Sequence, residues 1–372
     1  MSRGVEVPVP GGGRYPIRVE PGLLERVGAL CAEEISPHRT AVVADARVAE
    51  LYGERVLASF RRAEVPAELL TFPPGEASKS REVWAELTDR MLEAGLGRDA
   101  AVAALGGGVA GDLAGFVAAT YLRGVPVIQL PTSLLAMVDA SVGGKTAVDT
   151  RHGKNLVGAF HHPVLVAADP EVLETLPAPE RAAGLAEAVK TAAVADAELF
   201  GWMEERAGRL AAGDPEPVAR LVQRCMEIKA DVVARDPRES GLRQVLNFGH
   251  TVGHALESRS GWELPHGDAV AAGMRAEARL GEALGVTEPG TAGRLADLLE
   301  SCGHRGRPEA GLEPAALMEA ASSDKKARRG RVRFVLLARV GEVARAGDGA
   351  WSRPLPVEGR EELLQTALRS EG

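Results

Sequence analysis

The chain has 372 residues, is 45% hydrophobic and 26% charged, and carries a formal net charge of −8; it reads as a soluble globular protein of two domains, with neither nucleic acid nor an anionic membrane as its main partner. No apolar run approaches the roughly 20 residues needed to cross a bilayer, and Met1–Glu6 has no signal-peptide character. The three cysteines, Cys31, Cys225 and Cys302, lie far apart without a Cys-x-x-Cys pair, which excludes a disulfide framework or a cysteine-built zinc site and points to the cytoplasm.

Residues 5–20 alternate apolar and polar and read as an edge strand broken at Pro10–Gly13. A helix is expected over 22–34, then a buried parallel strand at Thr40–Asp45. Asp45 stands at its carboxyl end, where open α/β sheets bind ligands. Helix 47–62, strand 67–71, the loop Pro73–Lys79 and helix 80–95 follow. Next, Ala100–Leu105 runs into Gly106-Gly107-Gly108-Val109-Ala110-Gly111-Asp112, a strand, a glycine turn and a helix start. Glycines let backbone N–H groups approach a pyrophosphate, and the helix N-terminus favours its charge. The spacing departs from Gly-x-Gly-x-x-Gly, so these glycines alone say dinucleotide or phosphate. A strand is read at Val125–Leu130. Gly143-Gly144-Lys145-Thr146 looks like the tail of a P-loop, but Asp139 occupies the first glycine's place, so an ATP-binding P-loop is rejected.

From about 171 the texture becomes helical, with amphipathic stretches at 180–208, 215–235, 249–260, 267–285, 290–302 and 313–322, a single strand at Arg331–Leu337, and a last helix over 358–372. The expectation is an α/β nucleotide-binding domain with a parallel sheet over 1–176 and a mostly helical metal- and substrate-binding domain over 177–372. In the second, His250 and His254 stand four apart at a helix start, which puts both rings on one face. His266 follows at the entrance to another helix, and Glu187 lies upstream. Imidazoles with a carboxylate are ligands for a zinc-like divalent ion, with a position left open for substrate. Lys190, three residues after Glu187, projects from the same helical face.

These motifs, in this order, resemble the 3-dehydroquinate synthases, through Gly106–Phe116, Arg123-Gly124, Pro131–Lys145, Gly153–Gly158, Leu173–Pro177, Glu187–Lys190, Glu239–His254 and His266-Gly267. Two departures are mild: Ser133 stands for a usual Thr, and Ala140 for a usual Ser beside Asp139. The resemblance implies a dehydroquinate synthase-like fold. It also implies an NAD- and divalent-metal-dependent conversion of a heptulosonate 7-phosphate to 3-dehydroquinate and phosphate: transient oxidation at C5, phosphate elimination, re-reduction and intramolecular aldol closure. It makes Glu187, His250 and His266 the ligands of zinc or cobalt, and moves His254 from the ligand pair that spacing suggests to substrate contact and proton transfer. Glu239 is the second proton-transfer residue. Lys145, Asn155, Arg243, Asn247 and one of Lys325 and Lys326 would hold the substrate, joined by Arg123, Lys154, Lys190 and Lys229, a cationic set suited to phosphate and carboxylate. Asp139 would lie between nicotinamide and substrate. Gly107, Gly108, Val109 and Asp112 would hold the pyrophosphate, with Asp45, Glu76 and Lys79 at the adenosine end and Thr132, Ser133 and Thr175 nearby. An acid at the Asp45 position repels a 2′-phosphate, which favours NAD over NADP. A homodimer is implied by the family alone. The rival readings are a sister cyclase acting on glucose 6-phosphate or sedoheptulose 7-phosphate, and a metal-dependent polyol dehydrogenase, which would not need so many cations.

Overall fold

The computed structural model describes residues 5–306, 308, 312–323 and 332–368. Two compact units emerge: Met1–Leu176 with Val218–Pro237, and Pro177–Pro217 with Arg238–Gly372.

The first unit is built on a seven-stranded sheet. Its strands are β1 (Val5–Pro8), β2 (Arg14–Val19), β3 (Thr40–Asp45), β4 (Ala67–Phe72), β5 (Ala101–Gly106), β6 (Val127–Pro131) and, after a separate hairpin, β9 (Leu165–Ala168). The order is β1-β2-β9-β6-β5-β3-β4. β1 pairs antiparallel with β2, and the other pairings are parallel. β5 and β6 are buried at every residue, and in β5 alanine, valine and leucine run without the alternation of a half-exposed strand. Helices α1 (Val27–Glu34), α2 (Ala46–Val48), α3 (Glu54–Arg62), α4 (Arg81–Glu93) and α5 (Gly108–Thr120) connect them. Between β3 and β5 the chain reverses its direction of travel across the sheet, and at such a switch point the strand ends form a ligand crevice.

Small residues seat α5. A Cβ on Gly115 would come within 2.5 Å of Thr146 Cγ2, and one on Gly111 within 2.9 Å of Gln129 Oε1. Thr146 belongs to the hairpin β7 (Lys145–Thr150) and β8 (Gly153–Phe160), which the glycine-rich sequence did not announce. Gly158 is the reason it closes: a Cβ there would stand 2.0 Å from Thr146 O.

The second unit is mostly helical: α6 (Ala178–Ala195), α7 (Ala197–Ala212), α9 (His250–Arg259), α10 (His266–Ala283), α11 (Thr291–Ser301), α12 (Pro314–Ser323) and α13 (Arg360–Leu368). The single helix expected over 180–208 breaks at Asp196, whose carboxylate accepts from Leu199 N at 2.9 Å and caps α7. α9 and α10 pack backbone to backbone, since a Cβ on Gly273 would fall 1.8 Å from Gly249 O. Helix α8 (Pro215–Arg235) follows α7. The sequence placed all of 215–235 in the second domain, but its length from Val218 groups with the first unit, where Lys229 binds Asp139. The strand expected at Arg331–Leu337 is shorter and shifted. Arg331 lies outside the described residues, Phe334 makes an isolated bridge to Arg353, and regular pairing joins β10 (Leu337–Arg339) to β11 (Glu342–Val343). Among the described residues, no helix is long and apolar enough to cross a membrane.

Candidate active site

In the first unit the glycine turn sits at the carboxyl end of β5. Gly106 has φ 155°, and a Cβ there would stand 2.5 Å from Ala110 Cβ and 3.9 Å from Asp45 Oδ2. Gly107 is the N-cap of α5 and offers the helix no side-chain acceptor, so the first N–H groups of α5 are left for a ligand. A side chain there would crowd Ser133, whose Oγ would lie 3.3 Å from a Cβ on Gly107. Ser133 Oγ accepts from Ala136 N at 3.2 Å, and Thr132 N donates to Gly106 O at 2.9 Å. Val109 and Gly108 occupy the first turn, Asp112 the second. Asp45 is already in use as a helix cap, accepting from Val48 N at 2.9 Å. This is a cradle that fits a pyrophosphate and a ribose hydroxyl.

Beside it, residues the sequence assigned to different roles are joined. Lys79, 4% exposed, donates to Asp112 Oδ2 at 2.6 Å and to Asn155 Oδ1. Burial alone would lower the Lys79 ammonium, but Asp112, Glu76 and Asp149 outweigh it and hold the group above its ordinary value. Burial raises the Glu76 carboxyl against the attraction of Lys79 and Lys154, and Lys154 Nζ lies 4.0 Å from Glu76 Oε1. Lys229 Nζ meets Asp139 Oδ1 at 2.6 Å. Lys145 and Arg123 are exposed. The hydroxyl of Thr175 is taken up by Tyr52 OH at 2.5 Å.

In the second unit three donors converge: Glu187, His250 and His266 each offer a ligand atom, all within 4.8 Å of one another. Glu187 Oε1 is 3.1 Å from His266 Nε2 and 3.6 Å from His250 Nε2. Both rings are oriented from behind. His250 Nδ1 donates to Phe248 O at 3.2 Å, and His266 Nδ1 lies 3.4 Å from Glu257. With Nδ1 engaged, both Nε2 atoms face the carboxylate. Two imidazoles and one carboxylate suit zinc or a similar divalent ion, and three protein ligands are the pattern of a catalytic rather than a structural site. Burial lowers the His266 pKa, but hydrogen bonds and charge from Glu187 and Glu257 push it up to about 9. A proton is held where a cation would be. Lys190 Nζ contacts Glu187 Oε2 one turn on, and both side chains are buried.

His254 stacks edge-on to His250 with ring centroids 5.4 Å apart, and the His266 ring lies 5.7 Å from that of His250. The donor set therefore joins His250 to a residue of α10, although spacing within α9 alone favoured His254. Glu239 is half-buried, and its Oε1 accepts from Asn247 Nδ2 at 2.5 Å. Arg243 is buried in the same turn. Lys325 and Lys326 lie outside the described residues. Three of these candidates hold left-handed backbone without being glycine: Arg123 at φ 72°, Asn155 at 57° and Glu239 at 57°. Such residues cost about 1–3 kcal/mol each and persist where the surroundings fix them, often at functional sites. Sequence reading missed Glu257, although it stands seven after His250 and three after His254, on the same face of α9. It also missed His304, whose Nδ1 and Nε2 bond Asp268 at 2.7 Å and Ala182 O at 2.9 Å and so tie α10 to α6.

Comparison with known proteins places most of the chain in one family. The model of the 3-dehydroquinate synthase N-terminal family matches residues 69–183, and that of the C-terminal family matches 184–327. The 3-dehydroquinate synthase of Symbiobacterium thermophilum is 48% identical over 340 residues, covering 91% of this chain and 95% of its own. That of Caulobacter vibrioides is 44% identical over 351 residues, covering 92% and 95%. Among solved structures, 2-epi-5-epi-valiolone synthase from Streptomyces hygroscopicus, with NAD+ and Zn2+ bound, superposes with a TM-score of 0.84 at 29% identity over 97% of this chain and 98% of its own. A 2-deoxy-scyllo-inosose synthase complexed with carbaglucose-6-phosphate, NAD+ and Co2+ superposes at 0.86 with 24% identity over 99% of each chain, which establishes the shared fold.

Proposed function

The chain belongs to the 3-dehydroquinate synthase family, and from that premise we propose how its residues carry out the reaction. The enzyme converts 3-deoxy-D-arabino-heptulosonate 7-phosphate to 3-dehydroquinate and phosphate by transient oxidation at C5, phosphate elimination, re-reduction and aldol closure. The observation that carries the site assignment is the convergence of Glu187, His250 and His266, with Lys190 beside them on α6.

When bound, NAD supplies a reversible hydride acceptor and the divalent ion supplies Lewis acidity at the hydroxyl to be oxidised. Glu187, His250 and His266 hold that ion, and Glu257 fixes the His266 ring. The glycine turn, with Asp45, Asp112, Thr132, Ser133 and Thr175, holds the dinucleotide, and Glu76, Lys79 and Lys154 serve its adenosine side. Asp139, held by Lys229, orders the substrate side of the nicotinamide. Lys145, Asn155, Lys190, Lys229, Arg243, Asn247 and Arg123, with Lys325 or Lys326, bind phosphate and carboxylate. Charge-assisted bonds at both ends of one small molecule restrict it to a reactive pose. His254 and Glu239 move protons. The bond from Asn247 holds the Glu239 carboxylate in place, and an imidazole is suited to proton transfer near neutral pH.

Zinc or cobalt as the ion, a homodimer as the assembly and the cytoplasm as the compartment belong to the same proposal. The nitrogen and oxygen donors support the first, the family the second, and three buried cysteines outside any disulfide the third. Substrate choice tests the reading. The enzyme should release phosphate from the carboxylated heptulosonate and not from glucose 6-phosphate; the reverse preference would reassign Arg243, Asn247 and Lys229.

A further inference from the structure

We propose that Glu277 is a positioning residue for His250, acting through the peptide group between Phe248 and Gly249. The inference rests on the reading of Glu187, His250 and His266 as ligands of a divalent ion.

Glu277 lies on α10 and is 0% exposed. A carboxylate so placed is costly unless its oxygens are hydrogen-bonded, and these are. Oε2 accepts from Gly249 N at 2.8 Å, and Oε1 accepts from Thr251 N at 3.1 Å and from Val252 N at 3.4 Å. Those are the leading N–H groups of α9, at the positive end of its dipole. A serine or aspartate at the N-cap would ordinarily accept from Thr251 N or Val252 N. Here the N-cap is Gly249 at φ 80°, where a Cβ would fall 2.5 Å from Met274 Cγ and 2.9 Å from Val270 O. The close packing of α9 on α10 excludes a local cap, and α10 supplies one from its own side chain.

The consequence reaches the metal site through one peptide plane. Its N–H belongs to Gly249 and donates to Glu277; its C=O belongs to Phe248 and accepts from His250 Nδ1 at 3.2 Å. A carbonyl oxygen can only accept, so Nδ1 carries a proton, and Nε2, 3.6 Å from Glu187, is the nitrogen left to ligate. Donating to a carboxylate polarises the peptide and strengthens its carbonyl as an acceptor. Glu277 thereby fixes the tautomer and the plane of His250 through the backbone, the work of partners behind a metal-binding histidine.

Glu277→Gln is the test, because an amide of nearly equal size turns an NH2 towards backbone donors. Co2+ would be titrated into the full-length wild type and variant, reading affinity and the visible d–d bands, with NAD binding as the check on folding. The expected result is intact NAD binding, Co2+ affinity lower by about 10- to 100-fold and shifted bands. A lower unfolding midpoint with wild-type affinity and bands would make Glu277 a helix cap only and overturn the inference. If Glu277→Gln does not fold, Glu277→Asp replaces it, keeping the charge on a shorter arm; a smaller loss with shifted bands is expected, and wild-type binding contradicts the inference. His250→Ala is measured alongside. Wild-type binding by that variant would overturn the ligand reading itself, whereas wild-type binding by the Glu277 variants beside a silent His250→Ala would overturn only the role of Glu277.

Discussion

The strand-end cradle of the first unit and the histidine cluster of the second are built by opposite means. The cradle is made of backbone: Gly106, Gly107 and the first turn of α5 act by what they lack, and a single added methyl group would collide with Ala110 or crowd Ser133. The cluster is made of side chains, and its two imidazoles point correctly because Phe248 O and Glu257 hold them from behind. A backbone site is broken by adding atoms and a side-chain site by removing them.

The largest effect is expected from removal. His250→Ala should lose the divalent ion and lower kcat/KM on the order of 10³-fold, about 4 kcal/mol of transition-state stabilisation; elemental analysis showing a full complement of metal would break the ligand assignment. Addition comes next. Gly106→Ala forces a side chain into φ 155° against Ala110 Cβ, a strain of about 1–3 kcal/mol. It should weaken NAD about 10- to 100-fold and leave Co2+ binding unchanged, as calorimetry of each ligand separately would reveal. Arg243→Ala should raise the substrate KM about 10- to 100-fold, the loss of one or two charge-assisted bonds, with NAD affinity intact. The smallest effect is one of pH. His266 keeps its proton up to about 9 in the metal-free protein, and that proton must leave when an ion binds. Co2+ affinity should therefore rise with pH towards 9, by at most about tenfold per unit; a flat profile between pH 6 and 9 would remove His266 from the ligand set.

What could be read beforehand follows the same contrast. The strands β3 and β5 were visible as apolar runs, β6 as one interrupted only by Gln129, and the turn after β5 by its glycines, because backbone sites impose strict residue types on adjacent positions. Glu187, His250 and His266 were recognisable as members of a motif, yet helical spacing alone would have paired His250 with His254. Which imidazole faces Glu187 depends on how α10 lies against α9, and that is set by Gly249, Gly253 and Gly273. Glu257 and Glu277 were illegible for a related reason: each is an ordinary helical acid until a partner helix buries it. The β7–β8 hairpin was hidden because Gly158, inside β8, serves strand contact rather than a turn. The break at Asp196 went unread because one carboxylate, placed by its N-cap geometry, divides an otherwise continuous amphipathic pattern.

The most direct measurement follows phosphate released from 3-deoxy-D-arabino-heptulosonate 7-phosphate with NAD at catalytic concentration, with and without a chelator, while NADH absorbance is recorded. The account predicts phosphate release that needs both NAD and a divalent ion, many turnovers per NAD and no net NADH. Net NADH formed from a polyol, or phosphate release that survives complete removal of metal, would contradict it.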